Sequence, residues 1–489
     1  MNIENLPEVF LSDSATSYKV SRLVRQKKVR NIVGKLYTSN MTDDLDRIIH
    51  RRIWEIVALL FPGAIVADRT AFDLKPNDHG EIFIISRKTR PISVGSYTIY
   101  PRKGSVALNS DTPFISNLYC PSAARKFLEN MRTARRGKSW ESRYLSQKEI
   151  ERRIDAYIRI NGESAVNTLR DEMRILAPVL HLEKEFQKID KIIGAMLRTH
   201  STKLESAEGI ARASGDEFDP NRVLLFTLLY EELANMAPII RKSVSNNYPV
   251  LCFYEAYFSN YIEGTKFPVH EAFDIVFENK IPEDRPKDAH DIYGTYNVLS
   301  NMQEMRKAPR TLDDLIYLLR SRHRKIMAVH SAKHPGEFKK RTNVAGSTVF
   351  VEPNLIVGTL KQGFELYKKL DNAFARATYM AFLISEIHPF DDGNGRLSRI
   401  MMNAELVAAN EQRIVIPTVY CENYLQALKG LSHNKITDAF VKAIDFAQKY
   451  THSIDWTDPE NARDMLNNTN AFTENSEDET AILRLPKHF

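Results

Sequence analysis

Apolar residues change their spacing several times along the chain, and each change predicts an element. Between Tyr18 and Tyr37, Val20, Leu23 and Val24 follow a helical period while Val29, Ile32, Val33 and Leu36 are strand-like, which predicts a helix running into a wing-like hairpin. From about residue 64 to 107, apolar and polar groups alternate between turn signals such as Asn77-Asp78-His79-Gly80, so short strands are expected. Helical periodicity takes over from Ala123 to about Arg198. The Gly-, Ser- and Pro-containing stretch from Glu205 to Pro220 is the best linker candidate, and a second helical region begins near Val223.

Two further patterns frame the centre of that second region. Ala373, Ala377, Met380, Ala381 and Ile384 predict a buried helix ending near Ile387, where Pro389 stops it. Ile400, Met401, Leu406 and Val407 restart the period, so a new helix begins at Gly393-Asn394-Gly395. Upstream, RTNVAGSTVFVEP from Arg341 to Pro353 alternates around Gly346 and predicts a β-hairpin. After Trp456 the composition turns to Asp, Glu, Asn and Thr, with Glu474, Glu477, Asp478 and Glu479 close together, which predicts a mobile acidic tail over 456–489.

Composition sets limits on these elements. At 489 residues the chain needs several cores, and its 43% hydrophobic and 27% charged residues are ordinary for folded proteins. The N-terminus has no basic segment leading into an apolar one, and the longest apolar run, Ile53 to Ala67, is broken by Glu55 and Pro62. A soluble, cytoplasmic protein without a membrane partner is expected. Cys120, Cys252 and Cys421 are far apart, which argues against a disulfide framework or a zinc site. Net charge is only +6, yet Lys19 to Lys35 contains no acid. Arg22, Arg25 and Lys28 there read either as a solvated helix face or as phosphate contacts to DNA.

The densest chemistry lies in HPFDDGNGRLSR, residues 388–399. Free N–H groups and the aligned dipoles at a helix start favour phosphate, and glycines let it approach the backbone. Arg396 and Arg399, three apart on one face, offer cationic forks; Asp392 offers a hard oxygen for Mg²⁺; His388 has the chemistry of a general base.

This loop matches HxFx(D/E)GNGRxxR at every defined position and is identified as the signature of the Fic family. The resemblance implies that His388 activates a target hydroxyl, that Asp392 binds Mg²⁺ at the α- and β-phosphates, and that Gly393, Asn394 and Gly395 form an anion hole with the Asn394 side chain on the attacked phosphate. It implies that Arg396 and Arg399 hold the distal phosphates, with Leu397 and Ser398 completing the nucleotide-binding segment, and that Phe390 anchors the loop. Tyr424 matches a family tyrosine near the adenine pocket, although its own surroundings in sequence read equally as a core aromatic. Val344, Ala345, Gly346 and Ser347 resemble the flap that clamps a substrate segment.

Ser259-Asn-Tyr-Ile-Glu-Gly264 fits the family's inhibitory pattern (S/T)xxxE(G/N). By that resemblance Ser259 and Glu263 belong to an N-terminal inhibitory helix, and Glu263 pairs with Arg399 in place of the γ-phosphate. Residues 1–195 resemble type IV abortive-infection antitoxins with a winged helix.

The expected fold is mainly α, a Fic helical domain with a β-hairpin flap, preceded by an α+β winged-helix-containing domain. Its boundaries are a winged-helix-like domain at 1–70, an α+β and helical region at 71–204, a linker at 205–220, a Fic domain at 221–455 with the inhibitory helix near 250–264, and the tail at 456–489. The expected function is Mg²⁺-dependent transfer of AMP from ATP to a Ser, Thr or Tyr hydroxyl of a protein, restrained by Glu263. Removal of AMP from the same target and a DNA-binding regulator with a Fic effector are the competing readings, and a homodimer is a further expected assembly.

Overall fold

The helical and strand-like stretches assemble into two units, residues 1–215 and 216–489. The computed structural model describes residues 6–133, 143–243, 248–474 and 480–486.

In the first unit, β1 (Val9–Leu11), β2 (Arg30–Val33) and β3 (Leu36–Thr38) form an antiparallel sheet in the order β1-β3-β2, with α1 (Ser17–Arg25) between β1 and β2. Val20 and Leu23 of α1 are buried with Phe10 and Val29, which leaves Arg22, Arg25 and Lys28 exposed. Asp44 caps α2 (Leu45–Leu60) by accepting the N–H groups of Asp46 and Arg47. Next come β4 (Ile65–Val66), α3 (Asp68–Asp73), β5 (Glu81–Ile85), β6 (Ile92–Val94), β7 (Tyr97–Arg102), β8 (Thr112–Pro113) and β9 (Tyr119–Cys120). These strands make one mixed sheet, β6-β7-β5-β4-β9-β8, followed by α4 (Ala123–Asn130), α5 (Gln147–Leu180), α6 (Glu183–Met196) and α7 (Ala207–Ser214).

The second unit is helical: α8 (Pro220–Asn235), α9 (Pro249–Ile262), α10 (Val269–Phe277), α11 (Pro286–Ser300), α12 (Met302–Met305) and α13 (Leu312–Ile326) precede a hairpin of β10 (Val344–Ala345) and β11 (Thr348–Val349). Then follow α14 (Ile356–Tyr367), α15 (Ala373–Ile387), α16 (Asn394–Ala408), α17 (Cys421–Asn434), α18 (Thr437–His452) and α19 (Pro459–Asn468). Every residue of α15 except Arg376 is buried, as its all-round apolar sequence requires. It is the hub of a core that also takes Phe226, Leu319, Phe364, Leu397 and Phe440.

Three expected boundaries shift. A cut at residue 70 would divide one sheet, because β4 pairs with both β5 and β9; Val9 and Leu36 also share a core with Ile82 and Ile99 through α2. The stretch read as a linker at 205–220 holds α7, tied down where Glu151 accepts the Ser206 N–H at 2.6 Å and Arg212 meets Asp155 at 2.8 Å. Carboxylates on α5 supply what the polar sequence lacks. The tail also folds in part: Trp456, Ala462, Leu466 and Ala471 are buried, and Phe472 stacks on Phe258 of α9 at 5.4 Å. Its polar composition hid an i, i+4 apolar pair, Ala462 and Leu466. Glu477, Asp478 and Glu479 lie outside the described residues.

Candidate functional site

The loop between α15 and α16 is held from inside. Asn394 accepts the Phe390 N–H on its Oδ1 and donates its Nδ2 to the Phe390 carbonyl, both at 2.9 Å. The Asn394 side chain is therefore engaged by the loop backbone. Phe390 is buried and stacks on His323 of α13, with centroids 3.8 Å apart and planes 7° from parallel. His323 accepts the Gly336 N–H at Nδ1 and donates Nε2–H to the Asp392 carbonyl at 2.9 Å, which fixes its tautomer. Burial holds its pKa down at about 4, so it is a neutral clamp on the loop.

Beyond that clamp the backbone turns sharply. Gly393 has φ +72 and lies so close to α13 that a Cβ would stand 2.7 Å from Met327 Sδ. Its N–H goes to Asp392 Oδ1 at 2.7 Å, which leaves the main-chain donors of the first turn of α16 at the site. A carboxylate lies against that turn. Glu263 lies directly against Gly395, where any Cβ would collide with Glu263 Oε1. Arg399 Nη2 donates to the same Oε1 at 2.6 Å, and Arg399 Nε and Nη2 donate to Ser259 Oγ and O at 2.9 Å each. Burial is the largest influence on Arg399 and opposes its charge, but Glu263 and Tyr424 together outweigh it and raise its pKa.

The two arginines have different partners. Arg396 Nη1 lies 3.0 Å from Asp291 of α11 and 3.4 Å from Asn260 Oδ1, all buried, so its guanidinium is occupied within the protein, with only Nε lacking a hydrogen bond. Leu397 and Ser398, expected among the nucleotide contacts, turn inward. Leu397 is core and spends its N–H on Gly393 O, and Ser398 Oγ donates to Gly395 O at 2.8 Å. Tyr424 is also core, packed against Phe440 with its hydroxyl toward Arg399.

His388 closes α15 in a left-handed conformation, φ +53, with Nδ1 3.2 Å from the Ser385 carbonyl, so Nε2 carries the free lone pair. Burial first, and the charge of Lys339 after it, lowers its pKa to about 4; the imidazole is neutral and ready to accept a proton. Phe350 covers it, stacked at 3.9 Å and 13°. Phe350 follows the expected hairpin, in which Val344 pairs with Val349, Ala345 pairs with Thr348, and Gly346 at φ +59 starts the turn with Ser347. The outer residues Val344 and Val349 are 60% and 57% exposed. Arg222 holds Val349 O at 2.5 Å and Thr348 meets His433 at 2.9 Å, which anchors the hairpin.

Asp392 keeps its carboxylate half exposed, 3.7 Å from Lys333, with oxygens left over for a cation. Among the described residues no group of three or more His, Cys, Asp or Glu could hold a metal unaided. A cation here would need a ligand's phosphate oxygens, a mode that suits Mg²⁺.

Comparison with known proteins agrees with this architecture. The Fic/DOC family model matches residues 312–406, from α13 through nearly all of α16. Over that segment the chain is similar to the Fic/DOC family. Among its relatives, the protein adenylyltransferases Fic of Drosophila persimilis and Drosophila grimshawi are 27% and 28% identical over 185 residues, which is 36% of this chain. The match takes in 35% and 37% of those proteins, so the chain matches about a third of their length. The solved structure of C. elegans Fic-1, residues 134–508, is 14% identical with a TM-score of 0.36, covering 62% of this chain and 94% of that one. Among the described residues no helix is long and apolar enough to cross a membrane.

His323, Asp291, Lys339, Asn343 and Phe350 were absent from the residues singled out in the sequence. His323 reads there as one more cation in the last turn of a helix, and Asp291 lies over a hundred residues from Arg396. Lys339 and Asn343 stand beside and within the predicted hairpin stretch, where nothing in their spacing marks them.

Proposed function

We propose that the second unit transfers AMP from ATP to a protein hydroxyl and that Glu263 restrains it. The observation carrying this reading is the Glu263 carboxylate on the first turn of α16, hydrogen-bonded to Arg399 at 2.6 Å. A carboxylate held by a guanidinium against the helix start marks an anion site already filled by the protein itself.

With Glu263 withdrawn, the triphosphate takes that place. Arg399 and the free N–H groups of α16 hold phosphate oxygens. The target hydroxyl gives its proton to His388 Nε2 as its oxygen bonds to the α-phosphorus, the bond to the β-phosphate oxygen breaks, and diphosphate leaves. Asp392 would hold Mg²⁺, which neutralises phosphate charge when bound. Val344, Ala345, Gly346 and Ser347 offer an exposed edge to an extended segment of the target.

The test is labelling with α-radiolabelled ATP and Mg²⁺. Glu263→Gly should incorporate more AMP than the unmodified chain, and adding His388→Ala should abolish it. Equal labelling with and without Glu263 sinks the restraint; no labelling of the chain or of a mixed protein extract by any form sinks the transfer. Removal of AMP is the second reading, favoured because the Glu263 charge is felt at His388, where it would orient water. Release of AMP from a pre-labelled protein, lost in Glu263→Gly, would select it.

A separate role for the first unit is duplex DNA binding through the exposed Arg22, Arg25 and Lys28. Binding that weakens steeply with salt and disappears in the triple alanine variant supports it; no binding at low salt rejects it.

A further inference from the structure

Buried cations sort cleanly in this protein. Arg125, Arg212, Arg322, Arg396, Arg399 and Arg413 each lie 2.5–3.2 Å from a carboxylate oxygen. Lys339 does not. It is 3% exposed and the only buried lysine among the described residues. Its Nζ donates to Asn343 Oδ1 at 2.6 Å, and no carboxylate forms an ion pair with it among those residues.

An ammonium has three donors, and taking it out of water without a counter-charge is costly. The protein meets that cost at every buried arginine with an internal anion. At Lys339 it supplies one neutral amide, which leaves donors and a full charge for an anion from outside.

The position of Lys339 says which anion. Its main-chain N–H donates to the Pro389 carbonyl at 2.9 Å, so the residue is tied to the loop next to His388. Its charge is felt at the His388 imidazole, and Nζ lies 5.9 Å from the centre of the Phe350 ring that stacks on His388. The charged groups acting on it are Asp391 from the loop, which favours its charge, and Arg222 from α8, which opposes it. Asn343 passes the contact on, donating Nδ2 to Phe390 O at 2.9 Å. Lys339 thus stands on the His388 side of the loop.

We propose that Lys339 is a phosphoryl-binding residue, donating to a non-bridging oxygen of the nucleotide phosphoryl group under attack. This rests on the adenylyl-transfer reading and adds a cation to it, on the face where charge accumulates as the new bond forms. Burial pulls the Lys339 pKa down to about 8, so its proton is available at neutral pH and lost in mild alkali.

The test uses the full chain with Glu263→Gly as parent, and Lys339→Met and Lys339→Arg added to it. Lys339→Met should lower kcat/KM for ATP by about 10²-fold, while Lys339→Arg keeps most of it. The parent's rate should fall as pH rises through about 8, and Lys339→Arg should carry that alkaline limb upward. An unchanged kcat/KM in Lys339→Met overturns the proposal, as does an effect confined to the KM of the protein target or an alkaline limb that Lys339→Arg does not move. Should the parent make no product, ATP binding decides. About tenfold weaker binding in Lys339→Met upholds the site while the reaction reading alone falls, and equal binding overturns it. Lys339→Gln, read the same way, replaces Lys339→Met if that variant melts early.

Discussion

The two flanks of the 388–399 loop treat buried charge in opposite ways. On the α9 and α11 side, Arg396 and Arg399 are both satisfied by the protein, through Asp291 at 3.0 Å and Glu263 at 2.6 Å. On the flap side, Lys339 has only an amide, and His388 is neutral under Phe350. One flank pairs its buried cations with carboxylates, and the other gives its buried lysine a neutral amide. The closed flank is itself uneven. Asp291 is sealed within α11, whereas Glu263 sits at the end of α9 with 31% of its side chain exposed, so the Glu263 pair is the one that can open.

Asp291→Ala should have the largest effect, because it strands the Arg396 guanidinium in the core and also removes the partner of His330 at 2.7 Å. A loss of about 3–5 kcal/mol in urea unfolding is expected. An unchanged midpoint would mean that the closed flank is not held by this pair.

Acid gives the next effect. His323 is wholly buried and neutral with a folded pKa of about 4, below its unfolded value of 6.5. The unfolded chain takes up the proton first, so stability is lost as pH falls from 6.5 toward 4, by roughly 3 kcal/mol from this residue. Urea melts at pH 7.0, 5.5 and 4.5 should show the decline, and His323→Gln should make it shallower, the remainder coming from His388, which is also lowered to about 4. A decline of the same slope in that variant would remove His323 from the account.

Glu263→Gly should bind ATP at least about tenfold more tightly than the unmodified chain, since the carboxylate no longer competes for Arg399. Calorimetry that gives equal affinities would place the nucleotide elsewhere and break the comparison at its hinge. Phe350→Leu should have the smallest effect. Losing a stacked ring costs about 0.5–1.5 kcal/mol, and the better-hydrated His388 should titrate at higher pH, which histidine NMR can follow. An unmoved titration would show that Phe350 does not set the environment of the base.

Much of the site was legible in the chain because its parts are contiguous. The end of α15, the glycine turn and the start of α16 follow from period breaks and turn chemistry within thirty residues, and the hairpin around Gly346 follows from alternation. What was missed came from far away or looked ordinary. His323 resembles any helix-terminal cation, and Ala462 and Leu466 lie in a stretch too polar to suggest a core. The motif also did not show how its side chains are held: Asn394 bonds the Phe390 backbone, Leu397 is core and Ser398 donates to Gly395 O.

By itself the sequence determined the helical class of the second unit, the loop with its histidine and glycine turn, and the glutamate that ends a tyrosine-rich helix. Local periodicity, glycine placement and residue chemistry depend only on neighbours in the chain. The tertiary structure decided which charges are neutralised and by what. Pairing Arg399 with Glu263, Arg396 with Asp291 and Lys339 with no carboxylate brings together residues up to 136 positions apart. The strength of each charge depends on burial, and burial exists only once the helices have packed.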